Sequence, residues 1–343
     1  MGFRNITMNV VYHCTDNYAF ITGTSIVSLF ENCKDIDEIN VYIIENGFST
    51  ETKNKYLDLA AKYGRKMFFI PMPDVNSKYQ LGLTSIKKKW LFDSYSRLFL
   101  DTILPPMDRV LYLDGDTLVL HSLKELWEMD LEDNCCAAAL DCLGEPYYDL
   151  FDLSNGKYCN SGDILIDLLK WKEQHIADNV TSYVQQNKGY VFFMEQSVFN
   201  YVLQGKISYL SAKYNTSSIM QMFTPKQLWK MRMPKYFYSE SEICEAVKDP
   251  YIIHMTGLFY VINKPWNEVT NHPNKDLFWL YFEKLNWGKD ELQKDTRTFK
   301  TKFMDFIFHA TPKFILVPVI GMVYNGPRVK KIKKQAEKMR STL

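Results

Sequence analysis

Two carboxylates separated by one glycine follow a strongly apolar run of this sequence. Residues 110–113 (VLYL) are apolar, and Asp114, Gly115 and Asp116 come directly after them. Two like charges at the end of a buried element repel each other and lose hydration, so a cation between them would relieve both costs. Carboxylate oxygens are ligands of Mg²⁺ and Mn²⁺. The pattern therefore predicts a divalent-cation site at Asp114 and Asp116.

A second Asp-x-Asp triplet in the same chain shows that the spacing alone is weak evidence. Asp35 and Asp37 flank Ile36 in a charged connector, where solvated and inert carboxylates are expected. The feature that distinguishes Asp114 and Asp116 is the apolar run that leads into them.

Three further charged or titratable side chains each allow two interpretations. His254 ends an apolar run (IIH) and could supply a third ligand, which would favour Mn²⁺, but a lone histidine after a strand is more commonly structural. Lys264 is either a solvated loop cation or a counter-charge for a leaving phosphate. Arg97 is either a surface cation or a part of the site.

Two amides, Asn160 and Gln196, lie in or beside apolar stretches. An amide without a hydrogen-bond partner is costly there. A sugar hydroxyl is a natural partner, and backbone groups are the commoner alternative.

The elements that must position these side chains alternate between apolar and amphipathic segments. The predicted strands cover residues 6–12, 39–44, 67–70 and 110–113. The helices between them are expected to end near residues 33, 64 and 102. This alternation favours an α/β fold with a mainly parallel central sheet, in which ligands bind beyond the carboxyl ends of the strands. We therefore expect residues 13–18 (HCTDNY) and 114–116 to line one cleft.

Composition and charge exclude several classes of protein. The 343 residues are 46% hydrophobic and 24% charged, as in ordinary folded proteins. The net charge is +1, but residues 326–343 hold seven Lys or Arg and one Glu, so the remainder is net acidic and unlike a general nucleic-acid binder. Seven scattered cysteines without a C-x-x-C pattern, and no apolar leader, favour reduced thiols in a cytoplasmic protein.

Five sequence blocks in a fixed order carry a family resemblance. They are VVYHCTDNYAFITGTSIVSLFEN, SYSRLFLDTILPPMDRVLYLDGDTLV, YCNSGDILIDLLKWKE, MEQSVFNYVL and IIHMTG followed by KPW. Together they resemble the family 8 retaining glycosyltransferases, the group that contains bacterial lipooligosaccharide galactosyltransferases and glycogenin. The resemblance covers about residues 8–287, which is most of the chain.

The resemblance implies a Rossmann-like GT-A fold, a UDP-glucose or UDP-galactose donor, and Mn²⁺ with Mg²⁺ as the alternative. The metal ligands it implies are Asp114, Asp116 and His254. The reaction centre is assigned to Asp141, Glu195 and Gln196. The donor-binding residues are Thr15, Asn17, Tyr18, Arg97, Asp114, Gly115, Asp116, Asn160, Ser161, Gly257 and Lys264.

The function that the resemblance implies is retaining hexosyl transfer to a glycan, glycolipid or glycoprotein, in bacterial surface polysaccharide or lipopolysaccharide biosynthesis. One alternative is a sugar nucleotidyltransferase, although HCTDNYAF lacks the Gly-rich, basic phosphate loop expected after the first strand of such an enzyme. The other alternative is a catalytically inactive carbohydrate-binding homologue.

The last part of the chain has a different composition, and we predict a boundary between a catalytic domain, residues 1–297, and a tail, residues 298–343. The tail combines an apolar run, residues 314–324, with a strongly basic run after it. We expect it to attach peripherally to the anionic inner face of the cell membrane. The alternative is a helix packed on the catalytic domain, followed by a solvated end. Four residues of the tail fall on one helical face: Phe299, Phe303, Phe306 and Ile307.

Overall fold

A seven-stranded sheet forms the centre of the molecule, and a three-stranded sheet lies beside it. The computed structural model describes residues 5–83, 93–151, 153, 156–257, 263–288, 293–295 and 297–341. The strands are β1 (Thr7–Thr15), β2 (Glu38–Asn46), β3 (Lys66–Pro71), β4 (Arg109–Leu113), β5 (Thr117–Val119), β6 (Cys136–Leu140), β7 (Cys159–Asp167), β8 (Ile207–Leu210), β9 (Thr216–Ser217) and β10 (Ile252–His254).

The large sheet is mainly parallel, which confirms the predicted α/β architecture. Its strand order is β3-β2-β1-β4-β7-β6-β8. Strands β1 to β4 pair in parallel, and so do β6 and β8. Strand β7 is antiparallel to both of its neighbours. Each of the four predicted strands is present, and β1 is three residues longer at its carboxyl end than predicted.

Both faces of the large sheet are buried, because successive side chains of a strand point to opposite faces. Val10 and Tyr12 of β1 pack into one apolar cluster, and Val11 packs into the other. A strand that is buried on both faces reads as a continuous apolar run, which is the pattern seen in the sequence.

Helices cover the two faces and follow the strands along the chain. The α-helices are α1 (Ala19–Asn32), α2 (Thr50–Lys62), α3 (Val75–Lys78), α4 (Leu100–Ile103), α5 (Lys124–Trp127), α6 (Leu168–Glu173), α7 (Ile176–Gln186), α8 (Met194–Val202), α9 (Ser218–Met222), α10 (Pro225–Arg232), α11 (Glu240–Lys248), α12 (Lys275–Leu285), α13 (Phe299–Ala310), α14 (Lys313–Asn325) and α15 (Pro327–Ser341). The 3₁₀ segments are Asp16–Tyr18, Ser94–Phe99, Glu145–Phe151 and Ala212–Asn215.

The helix predicted to end near residue 102 differs from the expectation. The spacing of Leu91, Tyr95, Leu98, Phe99 and Thr102 predicts one face of an α-helix. Instead, Ser94–Phe99 is a 3₁₀ segment and Leu100–Ile103 is α-helical. Leu91 lies outside the described residues. Residues three apart eclipse each other in a 3₁₀ turn. Ser94 and Arg97 therefore project toward the same side, and both contact the candidate site described below.

Two antiparallel pairings bring distant parts of the chain to the carboxyl end of β4. Leu113 pairs with Asp163, so the residues at the start of β7 lie just beyond the end of β4. In the small sheet His254 pairs with Thr117, and the Met255 amide donates to the Asp116 carbonyl at 2.9 Å. The residues at this edge come together because of the order in which the strands pair, although they are far apart in sequence.

The three C-terminal helices pack on the rest of the molecule through one side only. Helix α14 buries Leu316, Val317 and Tyr324, and Gly321 permits its close approach to α10. Ile332 of α15 joins an apolar cluster around Glu145–Phe151. Helix α13 has no buried residue. No helix among the described residues is long and apolar enough to cross a membrane.

Candidate active site

Asp114, Asp116 and His254 converge at the carboxyl end of β4. One ligand atom from each of the three lies within 4.8 Å of the others. The Nε2 atom of His254 is 3.2 Å from Asp116 Oδ1 and 3.8 Å from Asp114 Oδ2. Two carboxylate oxygens and an imidazole nitrogen form a donor set that suits Mn²⁺ or Mg²⁺.

Two cations hold the other oxygens of these carboxylates. Arg97 donates to Asp114 Oδ1 at 2.9 Å, and the Tyr112 hydroxyl donates to the same oxygen at 3.0 Å. Lys264 Nζ lies 2.6 Å from Asp116 Oδ2. Asp116 thus has one oxygen held by Lys264 and one directed toward His254. Asp114 is held by Arg97 through both oxygens, at 2.9 Å for Oδ1 and 3.4 Å for Oδ2, and its Oδ2 also faces His254. Such partners orient metal ligands.

Titration of the site reflects this concentration of charge. Burial opposes ionisation of Asp116, but Lys264 and His254 outweigh it and hold the pKa of Asp116 well below its usual range. Burial alone would lower the pKa of His254, whereas the Asp116 carboxylate raises it to about 9. His254 is consequently protonated at neutral pH while the site holds no metal, and a metal ion must displace that proton.

Two glycines leave the space in which the cluster fits. A Cβ atom on Gly162 would lie 2.5 Å from the His254 ring and 2.9 Å from Asp114 Oδ2. A Cβ atom on Gly115 would collide with the Thr22 hydroxyl of α1. The donor set, its convergence and the cradle at Gly162 all fit a divalent cation.

A hydrogen-bond network runs from the acidic pair to the predicted reaction centre. Arg97 donates to the Ser161 carbonyl at 2.6 Å, and the Ser161 amide donates to Gln196 Oε1 at 3.3 Å. Gln196 Nε2 donates to Asp141 Oδ2 at 2.9 Å. Glu195 accepts a bond from Ser94 at 2.8 Å and lies 3.8 Å from Arg97. The structure thus brings Glu195 and Gln196 into contact with the predicted donor-binding residues Arg97 and Ser161, and Asp141 joins them through Gln196.

The remaining predicted donor-binding residues lie around this network. Asn160 accepts a bond from the Gly162 amide at 2.8 Å, and Gly257 lies beside the Lys264 side chain, whereas residues 258–262 are outside the described part of the chain. Tyr18 is 42% exposed, and partial loss of hydration of its hydroxyl, together with the nearby Asp116, raises its pKa. Its ring meets the Trp266 ring edge-on, with centroids 6.2 Å apart.

Thr15 and Asn17 are the predicted residues that the structure does not join to the acidic pair. Thr15 ends β1, and Asn17 lines a separate cavity of about 550 Å³ together with Asp16 and residues of α2. Within the described ranges no hydrogen bond connects their side chains to Asp114 or Asp116.

Sequence reasoning missed two polar residues directly behind the cluster. Burial raises the pKa of Asp163 to about 7, and Asn215 Nδ2 donates to its carboxylate at 2.7 Å. The same amide donates to Asn160 Oδ1 at 3.1 Å and lies 3.4 Å from His254 Nδ1. An aspartate inside the apolar run of β7 was the available signal, because a buried carboxyl requires a partner.

Backbone strain marks the entry to the reaction centre. Phe193 and Met194, which directly precede Glu195, have φ angles of 59° and 54°. Each non-glycine residue in the left-handed region costs roughly 1–3 kcal/mol. Such strain persists only where neighbouring contacts determine the conformation, and it is concentrated at functional sites.

A known protein family matches most of the chain. Residues 9–270 match the sequence profile of glycosyl transferase family 8. The chain belongs to this family. Family 8 enzymes are retaining glycosyltransferases, so the prediction made from the five sequence blocks is confirmed.

Relatives in the family come from several bacteria. General stress protein A of Bacillus subtilis (strain 168) is 25% identical over 82% of this chain and 95% of its own length. The lipopolysaccharide 1,2-glucosyltransferase of Escherichia coli (strain K12) is 26% identical over 85% of this chain and 82% of its own. The galactosyltransferase LgtC, solved in complex with donor and acceptor sugar analogues, has a TM-score of 0.65, with 25% identity over 83% of this chain and 98% of its own. The family 8 chain described here therefore has the GT-A fold.

Proposed function

We propose that this family 8 enzyme transfers glucose or galactose from a UDP-sugar to a hydroxyl of a glycan, glycolipid or glycoprotein, in bacterial surface polysaccharide or lipopolysaccharide biosynthesis. The observation that carries the proposal is the convergence of Asp114, Asp116 and His254 at the carboxyl edge of the sheet. The names of two relatives support it: one is a lipopolysaccharide 1,2-glucosyltransferase, and the other is a galactosyltransferase studied with donor and acceptor sugar analogues.

Mn²⁺ is the ion we propose for the site, with Mg²⁺ as the alternative, because an imidazole accompanies the two carboxylates. When bound, the cation would supply a Lewis acid for the diphosphate leaving group. Arg97 and Lys264 contact the carboxylates of Asp114 and Asp116 and so orient them. Lys264 also places positive charge where the negative charge of the leaving group develops.

Retention of configuration is compatible with two routes. Gln196 is an amide and a poor nucleophile, and the Glu195 carboxylate already accepts a bond from Ser94 and faces Arg97. We therefore propose front-face attack through an oxocarbenium-like state, in which the departing UDP takes the proton of the incoming hydroxyl. Double displacement with Glu195 as the nucleophile is the alternative. In either route Asp141, Asn160 and Ser161 would bind the sugar hydroxyls, while Thr15, Asn17 and Tyr18 would hold the uracil end.

The proposal is tested by screening UDP-glucose, UDP-galactose and other UDP-sugars for UDP release in Mn²⁺, in Mg²⁺ and in EDTA. We expect metal-dependent release from one hexose donor, and proton NMR of the first-formed product should then show an α-glycoside from an α-linked donor. A β-glycoside would overturn retention. Pyrophosphate release from a nucleoside triphosphate and a sugar phosphate would identify a nucleotidyltransferase. A folded protein that turns over no donor would be a carbohydrate-binding homologue.

The C-terminal helices support a second proposal, attachment to an anionic lipid surface. Their outward faces carry apolar side chains that are at least 40% exposed. The exposed lysines of α15 lie next to this surface in sequence, with one acid, Glu337, among them. The exposed apolar residues are Phe299, Phe303, Met304, Phe306, Ile307, Phe314, Ile315, Val319, Met322 and Val323.

Charge decides between a lipid surface and a second copy of the chain as the occupant of this face. A symmetric dimer through the face would bring two lysine-rich helices toward each other, whereas an anionic bilayer attracts each lysine by about 1 kcal/mol. Helix α13 presents aromatic side chains of the kind that insert at a membrane interface. We expect co-sedimentation with phosphatidylglycerol vesicles, no co-sedimentation with neutral vesicles, and a monomer in analytical ultracentrifugation. A stable dimer that ignores both vesicles would overturn the proposal.

A further inference from the structure

The strained entry to α8 lies against the C-terminal helices. Phe193 and Met194 are left-handed at consecutive positions, and Glu195 and Gln196 follow at once in the first turn of α8. Because the four residues are consecutive, a change of backbone conformation at Phe193 would displace both side chains of the reaction centre. The contacts that hold Phe193 therefore influence the positions of Glu195 and Gln196.

Arg328, near the start of α15, is the cation that meets this segment. Its guanidinium carbon lies 5.5 Å from the centre of the Phe193 ring, 6.0 Å from the Tyr147 ring and 5.2 Å from the Tyr324 ring. These distances are within the range of cation–π attraction. The Phe193 and Tyr147 rings are also stacked, with centroids 6.0 Å apart.

The same cluster is tied to the backbone of α14 and to the segment that follows Asp141. The Tyr147 hydroxyl donates to the Tyr324 carbonyl at 2.7 Å. Tyr147 belongs to the 3₁₀ segment Glu145–Phe151, which begins four residues after Asp141. Arg328 thus contacts both the segment that leads into Gln196 and the segment that follows Asp141. Gln196 Nε2 donates a hydrogen bond to Asp141 Oδ2 at 2.9 Å.

We propose that Arg328 is a positioning residue for the reaction centre: by holding Phe193 against Tyr147, it fixes the start of α8 and with it Glu195 and Gln196. The inference rests on the proposed function, because its main readout is turnover of a UDP-sugar. It gives the C-terminal helices a role in the chemistry that is separate from binding a membrane.

The test is the variant Arg328→Ala, assayed by hydrolysis of soluble UDP-sugar without vesicles or acceptor. Misplacement of catalytic groups by about an ångström lowers rates steeply, so we expect kcat to fall about tenfold or more. Mn²⁺ affinity should be unchanged, because the metal ligands lie on other elements. Arg328→Lys should recover part of the rate, since a lysine also interacts with an aromatic face.

Lys235→Ala is the matched control. Lys235 is an exposed cation over the Tyr148 and Tyr236 rings of the same aromatic cluster, at 5.5 and 5.6 Å. Its removal should leave kcat unchanged. An equal loss in Lys235→Ala, or wild-type kcat in Arg328→Ala, would overturn the proposal.

Two further measurements separate positioning from general destabilisation and from failure of the proposed function. The double variant Arg328→Ala, Phe193→Leu should be no slower than the slower single variant, because both changes break one contact; additive losses contradict the inference. Hydrogen exchange needs no turnover, and Arg328→Ala should speed exchange at residues 193–197 while α1 keeps its protection. If wild-type protein hydrolyses no UDP-sugar, the proposed function fails, and the exchange result alone decides the role of Arg328.

Discussion

The carboxyl edge of the large sheet and the C-terminal helices differ in whether their side chains have partners within the protein. At the sheet edge, Asp114 and Asp116 each have a cationic partner, and the predicted sugar contacts are linked by hydrogen bonds. On the C-terminal helices, Phe299 is 85% exposed and Phe314 is 77% exposed. The charged groups of the first region are paired with one another, whereas the second region exposes its apolar side chains.

The proposed roles of the two regions have different physical requirements. A site that stabilises developing charge works best when its dipoles and charges are already in place, so that no reorganisation accompanies the reaction. A surface that meets a bilayer has no such need, because the lipid supplies the apolar partner. Arg328 links the two regions, because it belongs to the C-terminal helices and contacts the entry to the reaction centre.

We expect the largest effect from a substitution at the acidic pair on the sheet edge. Asp116→Asn keeps the shape of the side chain but removes a charged ligand, and we expect metal-dependent UDP release to fall by about a hundredfold or more, since even the partners of metal ligands contribute 10–100-fold. The matched control is Asp35→Asn in the second Asp-x-Asp triplet, where Asp35 accepts a bond from Ser122. Near-wild-type turnover by folded Asp116→Asn would rule out the metal role.

The dependence of metal affinity on pH tests whether His254 is a metal ligand. His254 has a raised pKa of about 9 without metal, so protons compete with Mn²⁺ below that value. We expect affinity to weaken about tenfold for each pH unit lost, or about thirtyfold from pH 8 to pH 6.5, with one proton released on binding. Calorimetry in two buffers of different ionisation enthalpy measures both quantities. An affinity that stays constant over this interval would contradict His254 as a ligand.

A single apolar substitution tests the uncovered surface. Phe303 is 53% exposed on α13. Phe303→Ser should lower the partition onto phosphatidylglycerol vesicles about tenfold, because insertion of part of an aromatic side chain is lost. UDP release from soluble donor should be unaffected. Leu57→Ser is the control, since Leu57 is a 46% exposed side chain of α2, outside the C-terminal helices; equal losses in the two variants would contradict a localised lipid surface.

We expect the smallest effect from removal of one lysine of α15, which separates the contribution of charge from that of apolar insertion. Lys334→Ala should lower vesicle binding about fivefold at low salt, because each lysine near an anionic surface contributes about 1 kcal/mol. The difference should disappear at high salt through screening, whereas the effect of Phe303→Ser should persist. Lys62→Ala on α2 provides the matched loss of one charge. A loss in Lys334→Ala that does not depend on salt would contradict an electrostatic contribution.

The strands of the parallel sheet and the acidic pair of the candidate site could be predicted from the order of the amino acids alone. Apolar runs gave the parallel strands, because a strand buried on both faces has no polar alternation. The run before Asp114 also distinguished this aspartate from Asp35, since a carboxylate beside a buried strand requires a partner. The five ordered blocks then gave the family, and with it residues such as Asp141 and Gln196 that spacing alone could not connect.

The contacts between residues far apart in sequence depend on the directions in which the strands pair. The antiparallel direction of β7 sets Asn160 and Ser161 beyond the end of β4, and pairing of β10 with β5 delivers His254 to Asp116. Nothing in the local sequence encodes these directions, because strand pairing depends on the packing of the whole sheet. The same holds for Asn215 behind His254 and for Arg328 over Phe193, where residues far apart in sequence interact through side chains that only the folded chain brings together.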